Sequence, residues 1–225
     1  KEVSSKLVLT DKLISSEDPN CTAYIFKWEN VSDAKVLAEL IKNNIKVRFS
    51  SKDFSSRNPD RNFKKGSLIV IRGDNSKIED FDNTVINIAN TNGKYTVPIA
   101  SGFSQKGPDF GSRSISLVND KKVAILSGDG TQPESYGALW YFFEQELEYP
   151  IIPINTDDFR WVNLNDYDVL ILPNGNYKNI LNESAQKKLM LWVKEGGNVI
   201  AINGALRSFA NKEGFQLKTK KKSDS

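Results

Sequence analysis

The chain alternates between short apolar runs and longer segments in which apolar residues recur three and four positions apart. In the first half, four runs of strand length lie at residues 23–28, 45–49, 67–71 and 95–100. Two segments with helical spacing lie between them, at residues 32–43 and 78–90. Ser32 and Asp33 suit the first turn of the earlier segment, as an N-cap and as an acidic residue near the helix start. The pattern predicts strands and helices in turn.

The second half repeats this alternation with longer apolar runs. Four of them predict strands at residues 122–126, 150–154, 169–172 and 199–202. Three amphipathic segments predict helices at residues 134–147, 184–195 and 205–213. The first of these helices is expected to bury one stripe, formed by Leu139, Phe142, Phe143 and Leu147. The pair Gly196-Gly197 is expected to end the second helix.

A Gly- and Ser-rich stretch at residues 102–113 separates the halves. We divide the chain into a lead-in, an N-terminal α/β segment, a second α/β segment and a basic tail, at residues 1–19, 20–113, 114–217 and 218–225. Strands that are apolar throughout and alternate with helices are typical of a parallel sheet covered on both faces. We therefore expect an α/β fold with doubly wound, mostly parallel sheets, flavodoxin-like or Rossmann-like.

Composition narrows the class of protein. Hydrophobic residues make up 39% and charged residues 26% of the 225 residues, which is typical of a globular chain. The net charge of +3 is too small to indicate nucleic-acid binding, and Lys218 and Lys220 to Lys222 supply much of it from the tail. No apolar run approaches the roughly 20 residues that span a bilayer, so we expect no membrane span. Because the first residue is Lys1, we interpret the chain as a segment of a longer protein.

The residue types exclude several kinds of active site. The chain has no histidine, and its one cysteine, Cys21, lies outside any turn that would present a nucleophile. No cluster of Cys and His is available to bind a metal, and the spacing of the acidic residues matches no calcium-binding loop. We therefore expect no catalytic residue, no metal site and no cofactor in this chain.

Three turns follow predicted strands where α/β proteins bind their ligands, beyond the carboxyl ends of the strands. Their residues form a candidate ligand-binding rim: Gly128, Asp129, Gly130, Asn174, Gly175, Asn203 and Gly204. The first turn is not a dinucleotide fingerprint, because residue 133 is Pro. The alternative is that tight strand–helix turns need these glycines for backbone reasons alone. Ser127 also follows a strand, but a hydrolase using it would need a lysine as its base.

Several segments together carry a resemblance to a known family. In the second half they are Lys122-Val-Ala-Ile-Leu-Ser-Gly128, Tyr136-Gly-Ala-Leu-Trp-Tyr-Phe-Phe-Glu144, residues 147–150, 164–175, 191–197 and 205–215. In the first half they are residues 23–28, 37–48, 63–71 and 102–112. Over about residues 20–217 the chain resembles the C-terminal region of exported zinc carboxypeptidases of the carboxypeptidase A/T type, common in Bacteroidetes-type bacteria. That region resembles a class I glutamine amidotransferase domain.

The resemblance implies an accessory role. The peptidase chemistry and its zinc would belong to an N-terminal domain absent here, and the protein would be exported. An amidotransferase needs cysteine at its nucleophile turn, where this chain has Asn203-Gly204. The implied function is a non-catalytic accessory or interaction domain, a pseudoenzyme that contacts the peptidase domain of the same polypeptide or a peptide or glycan. The alternatives are a small-ligand-binding module and a stand-alone amidase or hydrolase using Ser127.

The family's domain continues beyond the point that corresponds to the end of this chain. The resemblance therefore also implies that the second sheet has an exposed edge. We expect a neighbouring chain or the first half of this chain to cover it.

Overall fold

A computed structural model describes residues 15–220 and divides the chain into two compact units, Lys1–Asn119 and Asp120–Ser225. Most of the predicted lead-in and the last five residues of the basic tail lie outside the described residues. Within the described residues, no helix is both long and apolar enough to cross a membrane. The longest, in the second unit, has 12 residues.

The first unit is built on a five-stranded sheet with the order β6-β1-β5-β2-β7. Its strands are β1 (Ala23–Phe26), β2 (Arg48–Ser50), β5 (Leu68–Ile71), β6 (Thr96–Ile99) and β7 (Ile115–Leu117). A separate hairpin consists of β3 (Phe54–Arg57) and β4 (Asp60–Phe63), and the helices are α1 (Ser32–Lys42) and α2 (Phe81–Thr91). Every strand pairing in the five-stranded sheet is antiparallel.

This antiparallel sheet contradicts the predicted doubly wound, mostly parallel fold. The prediction assumed that strands apolar throughout belong to parallel sheets. In β1, Tyr24 and Phe26 pack on one face against residues of α1 and α2. Ala23 and Ile25 pack on the other face against Phe54 of the hairpin. Both faces are therefore buried, and two-sided burial explains the apolar run without fixing the strand direction.

The boundary between the units also differs from the one drawn from the sequence. Residues 115–117, which we assigned to the second segment, form β7 at the edge of the first sheet and pair with β2. The hairpin β3–β4 was not predicted, because most of its residues are polar and only two of them are aromatic. Phe54 and Phe63 stack there with ring centroids 5.0 Å apart.

The second unit contains a four-stranded parallel sheet with the order β11-β10-β8-β9. Its elements are β8 (Val123–Ser127), α3 (Pro133–Tyr141), β9 (Ile151–Asn155), β10 (Val169–Leu172), α4 (Glu183–Lys194) and β11 (Asn198–Ala201). A π-helical turn, Phe142–Glu146, extends α3. The predicted helix at residues 205–213 is instead a short 3-10 segment, Asn203–Ser208.

The two faces of the parallel sheet are buried to different extents. On one face Leu170 and Leu172 are fully buried beneath Leu189 and Trp192 of α4. On the opposite face α3 lies over the sheet, yet neither α3 nor the π-helical turn contains a buried residue. The predicted buried stripe of Leu139, Phe142, Phe143 and Leu147 is therefore only half-buried.

Candidate functional site

The three turns of the candidate rim lie at one edge of the parallel sheet. Strands β8, β10 and β11 are neighbours in the sheet, and their carboxyl ends point the same way. The backbone N–H of Asn176 donates to the carbonyl of Gly130 at 2.7 Å, and that of Gln132 donates to the carbonyl of Asn174 at 2.9 Å. The turns after β8 and β10 are thus bonded directly to each other.

Gly175 makes this contact possible. A Cβ atom at this position would lie 2.2 Å from the carbonyl oxygen of Gly130, a distance that no side chain tolerates. Glycine is therefore needed here because the two backbone turns approach each other closely. This agrees with the alternative that the glycines of these turns are present for backbone reasons. No space for a ligand separates the two turns at this point.

The side chain of Asn174 joins all three turns. Its Oδ1 accepts a hydrogen bond from the N–H of Gly204 at 2.9 Å, and its Nδ2 donates to Oε1 of Gln132. Its own N–H donates to the hydroxyl of Ser135, in the first turn of α3, at 2.9 Å. We call Gln132, Ser135, Asn174 and Gly204 the Asn174 clasp. The polar groups of the clasp hydrogen-bond to one another, so few of them remain available to bind a ligand.

Gly128 and Asp129 lie at the outer side of the rim. Gly128 has φ +94, and a Cβ there would lie 2.7 Å from Oδ1 of Asn155. The hydroxyl of Thr156 is buried beside Gly128 and has no hydrogen-bond partner in the structure. Asp129 is exposed and is the rim's one charged side chain. Glu134, in the first turn of α3, already complements the positive end of that helix. The rim is therefore poorly suited to an anion.

The predicted nucleophile turn has the expected sharpness but no nucleophile. Asn203, two residues after the end of β11, adopts φ +48, in the left-handed region. Ser127 is half-buried at the end of β8, and its backbone carbonyl accepts from the N–H of Thr156 at 2.8 Å. Among residues 15–220, no hydrogen bond joins the Ser127 hydroxyl to a lysine or a carboxylate. The Ser127 hydrolase alternative therefore gains no support from this geometry.

Cys21 is buried in the first unit, and its surroundings do not activate its thiol. Burial raises the pKa of its thiol, and the hydrogen bond from Arg72 at 3.5 Å does not offset this. A thiol is nucleophilic as the thiolate, so a raised pKa lowers the reactivity of Cys21.

Two polar clusters of the first unit were missed by sequence reasoning. Arg72 donates two hydrogen bonds to Asp82, at 2.6 and 2.8 Å, and Tyr24 donates a third to the same carboxylate at 2.6 Å. Asp33 forms an ion pair with Lys94 and accepts from the N–H groups of two preceding residues.

The charged groups of both clusters are paired, which indicates structural roles. The Arg72 hydrogen bond, followed by that from Tyr24, outweighs burial and lowers the pKa of Asp82. Burial alone would raise the pKa of Asp33, but the hydrogen bonds from Lys94 and from the backbone lower it. Both carboxyl groups are therefore held in their charged form.

The exposed side of α3 carries an aromatic surface. Trp140 and Tyr141 are 40% and 55% exposed, whereas Tyr136 and Phe143 are half-buried because they pack against the buried residues of the sheet. We call Trp140 and Tyr141 the α3 surface. Neither residue belongs to the predicted buried stripe, but the sequence did not predict that both would be exposed.

The sequence segment that contains the α3 surface is acidic. Residues 123–159 include seven acidic residues and no lysine or arginine: Asp129, Glu134, Glu144, Glu146, Glu148, Asp157 and Asp158. The rest of the chain carries the excess of positive charge. The α3 surface is thus aromatic and lies in an acidic segment.

Within residues 15–220, no group of three or more acidic or cysteine side chains could hold a metal ion. Comparison with models of protein families, with curated proteins and with solved structures found no match to this chain.

Proposed function

We propose that this chain is an interaction module that binds a basic partner surface through the α3 surface. The observation that carries the proposal is the unequal burial of the two faces of the parallel sheet. The face beneath α4 is closed, whereas α3 presents aromatic side chains to solvent. Exposed aromatic residues are typical of the centre of protein interfaces.

The energetics favour aromatic contact with electrostatic guidance. Burying an exposed aromatic side chain at an interface contributes about 1–3 kcal/mol. The acidic residues of the segment at 123–159 would attract lysine and arginine on the partner and would set the rate and orientation of association. We therefore expect affinity to depend mainly on Trp140 and Tyr141, and association rate to depend on salt.

The partner implied by the family resemblance is the peptidase domain of the same polypeptide. This part of the proposal depends on dispersed motifs, so it is tested first, by sequencing the reading frame upstream of Lys1. A His-x-x-Glu zinc motif in that frame would support the parentage. A complete upstream frame without a zinc-ligand motif would contradict it, and the interaction surface would then need another partner.

Binding is tested by titrating the purified peptidase domain with this chain in a calorimeter at low and high salt. Trp140→Ser is expected to weaken binding roughly tenfold or more, since loss of an aromatic anchor costs at least about 1.4 kcal/mol. Trp161→Ser is the matched control, because Trp161 is 75% exposed in the same unit but lies outside the α3 surface. Equal effects of the two substitutions would contradict the proposal.

A small-ligand-binding module is the second candidate function. The observation that favours it is the buried, unpartnered Thr156 hydroxyl beside Gly128, at the end of the sheet where Asp129 is exposed. Thermal unfolding in the presence of sugars, amino acids and nucleotides would test it, because a bound ligand raises the unfolding temperature by mass action. An unchanged temperature with all three classes would count against this candidate.

A further inference from the structure

The free edges of the two main sheets are protected to different degrees. Proline or a very short strand keeps a sheet edge from pairing with another chain. In the first unit, edge strand β6 contains Pro98 and edge strand β7 has three residues. In the second unit, edge strand β9 contains Pro153. The fourth edge, β11, contains neither proline nor a charged residue.

The backbone of β11 offers hydrogen-bonding groups at this edge. The N–H of Asn198 donates to the carbonyl of Asp168, the residue before β10, at 2.9 Å, and the N–H of Ile202 donates to the carbonyl of Leu172 in β10 at 3.0 Å. Because alternate residues of a strand face opposite neighbours, Val199 and Ala201 direct their N–H and C=O groups away from β10. Within the described residues, these outward groups have no hydrogen-bond partner.

Apart from Asn198 at its start, the side chains of β11 are apolar on both faces. Ile200 pairs with Ile171 in register and is 48% exposed. Val199, Ile200 and Ala201 all line a groove of about 500 Å³ at this edge. The remaining groove residues are Leu206, Phe209, Phe215, Gln216 and Leu217. An added strand would therefore cover apolar surface as well as backbone.

We propose that the occupant of this edge is a second copy of the chain, paired antiparallel through its own β11. With a two-fold axis at Ile200, Val199 of each copy lies opposite Ala201 of the other, and each pair exchanges two hydrogen bonds. The two Ile200 side chains then form the central pair that is not hydrogen-bonded, where side chains approach most closely. The strand is complementary to itself in register, and its lack of charge removes the repulsion that opposes self-pairing.

The interface is short, so we expect reversible association that grows with protein concentration. Light scattering and sedimentation velocity over a concentration series are expected to show a monomer–dimer equilibrium. Ile200→Lys is expected to weaken dimerisation roughly tenfold or more, because it places like charges opposite each other. Ile200→Glu is expected to have the same effect, because the two glutamate side chains also place like charges opposite each other.

Mixing the two variants in equal amounts is the decisive step. Opposite charges then face each other across the axis, so the mixture is expected to form a heterodimer. This rescue also shows that the variants are folded. Leu191→Lys is the matched control, because Leu191 is exposed on α4 away from the edge, and it is expected to leave the dimer intact.

Three results would overturn the inference. They are a monomer at every concentration, a dimer that tolerates Ile200→Lys, and a mixture that stays monomeric. The inference is independent of the proposed function, because Trp140→Ser alters the α3 surface and is expected to leave this dimer unchanged. Binding to the peptidase domain and self-association are therefore tested separately.

Discussion

The Oδ1 atom of Asn174 accepts a hydrogen bond from the backbone N–H of Gly204 at 2.9 Å, which ties the turn after β10 to the turn after β11. The same side chain donates to Gln132, in the turn after β8. One asparagine thus joins the three turns at the carboxyl edge of the parallel sheet, where the sequence left a ligand site and purely structural turns as alternatives. Its role is accordingly tested through stability.

We expect Asn174→Ala to lower the free energy of unfolding by about 1–3 kcal/mol, because it leaves the N–H of Gly204 and the amide of Gln132 without partners. Urea unfolding followed by circular dichroism measures the change. Asn176→Ala is the control, because Asn176 is an exposed neighbour whose side chain accepts only from the N–H of Lys178 at 3.3 Å. A loss as large for Asn176→Ala would contradict the role given to the clasp.

Gly175→Ala is expected to destabilise the second unit by more than about 3 kcal/mol, because its Cβ would overlap the carbonyl oxygen of Gly130. Gly137→Ala is the matched control, since a Cβ there meets nothing within 4 Å and the residue lies inside α3. This control is expected to stabilise the protein by about 0.5–1 kcal/mol. Thermal unfolding of the two variants should therefore shift in opposite directions, and a shift in the same direction would contradict the packing at Gly175.

Asp82 makes part of the first unit's stability depend on pH. Its folded-state pKa is lowered from 3.8, chiefly by the Arg72 hydrogen bond. A carboxyl group with a depressed folded-state pKa stabilises the native state above its unfolded-state pKa, and this contribution is lost as the pH falls through the folded-state value. Asp82→Asn is thus expected to destabilise the protein at neutral pH and to matter progressively less below about pH 4.

The measurement is urea unfolding of wild type and Asp82→Asn at several pH values. Asp53→Asn serves as the control, because Asp53 pairs with Lys64 on the surface and its loss is expected to leave the unfolding midpoint unchanged at neutral pH. If Asp82→Asn lowers the free energy of unfolding by the same amount at neutral and at acidic pH, the ionised carboxylate is not the cause of the loss.

Cys21 is expected to resist a thiol reagent such as Ellman's reagent in the native protein, because it is buried and its thiol pKa is raised. Full reaction is expected in guanidinium chloride, where the same residue becomes accessible. Rapid modification of the native protein would contradict the burial of this residue.

The positions of many elements were predictable from periodicity. The apolar runs at β8 and β10 and the helical spacing at α1 and α4 follow local rules, because burial on one stripe or on both faces leaves a regular pattern. Polar segments carried less information. The hairpin formed by β3 and β4 was missed, since only Phe54 and Phe63 in it are large and buried.

The candidate rim was predictable only in part. Turns after strands are recognisable by Gly and Asn, and the parallel sheet brings those after β8, β10 and β11 to one edge. Their mutual bonding could not be predicted, because it depends on how closely Gly175 approaches Gly130. The sequence predicted where the turns lie. The structure shows that many of their polar groups already hydrogen-bond to one another.

By itself, the sequence determined that this chain contains no histidine, one cysteine and alternating apolar runs that become strands and helices. Those properties follow from composition and from local periodicity. Tertiary structure alone decided that the first sheet is antiparallel, that Trp140 and Tyr141 are exposed on α3, and that β11 is a strand without a partner on its outer side among residues 15–220. Strand direction and exposure depend on which segments meet in space, and an apolar pattern records burial without recording the neighbour that provides it.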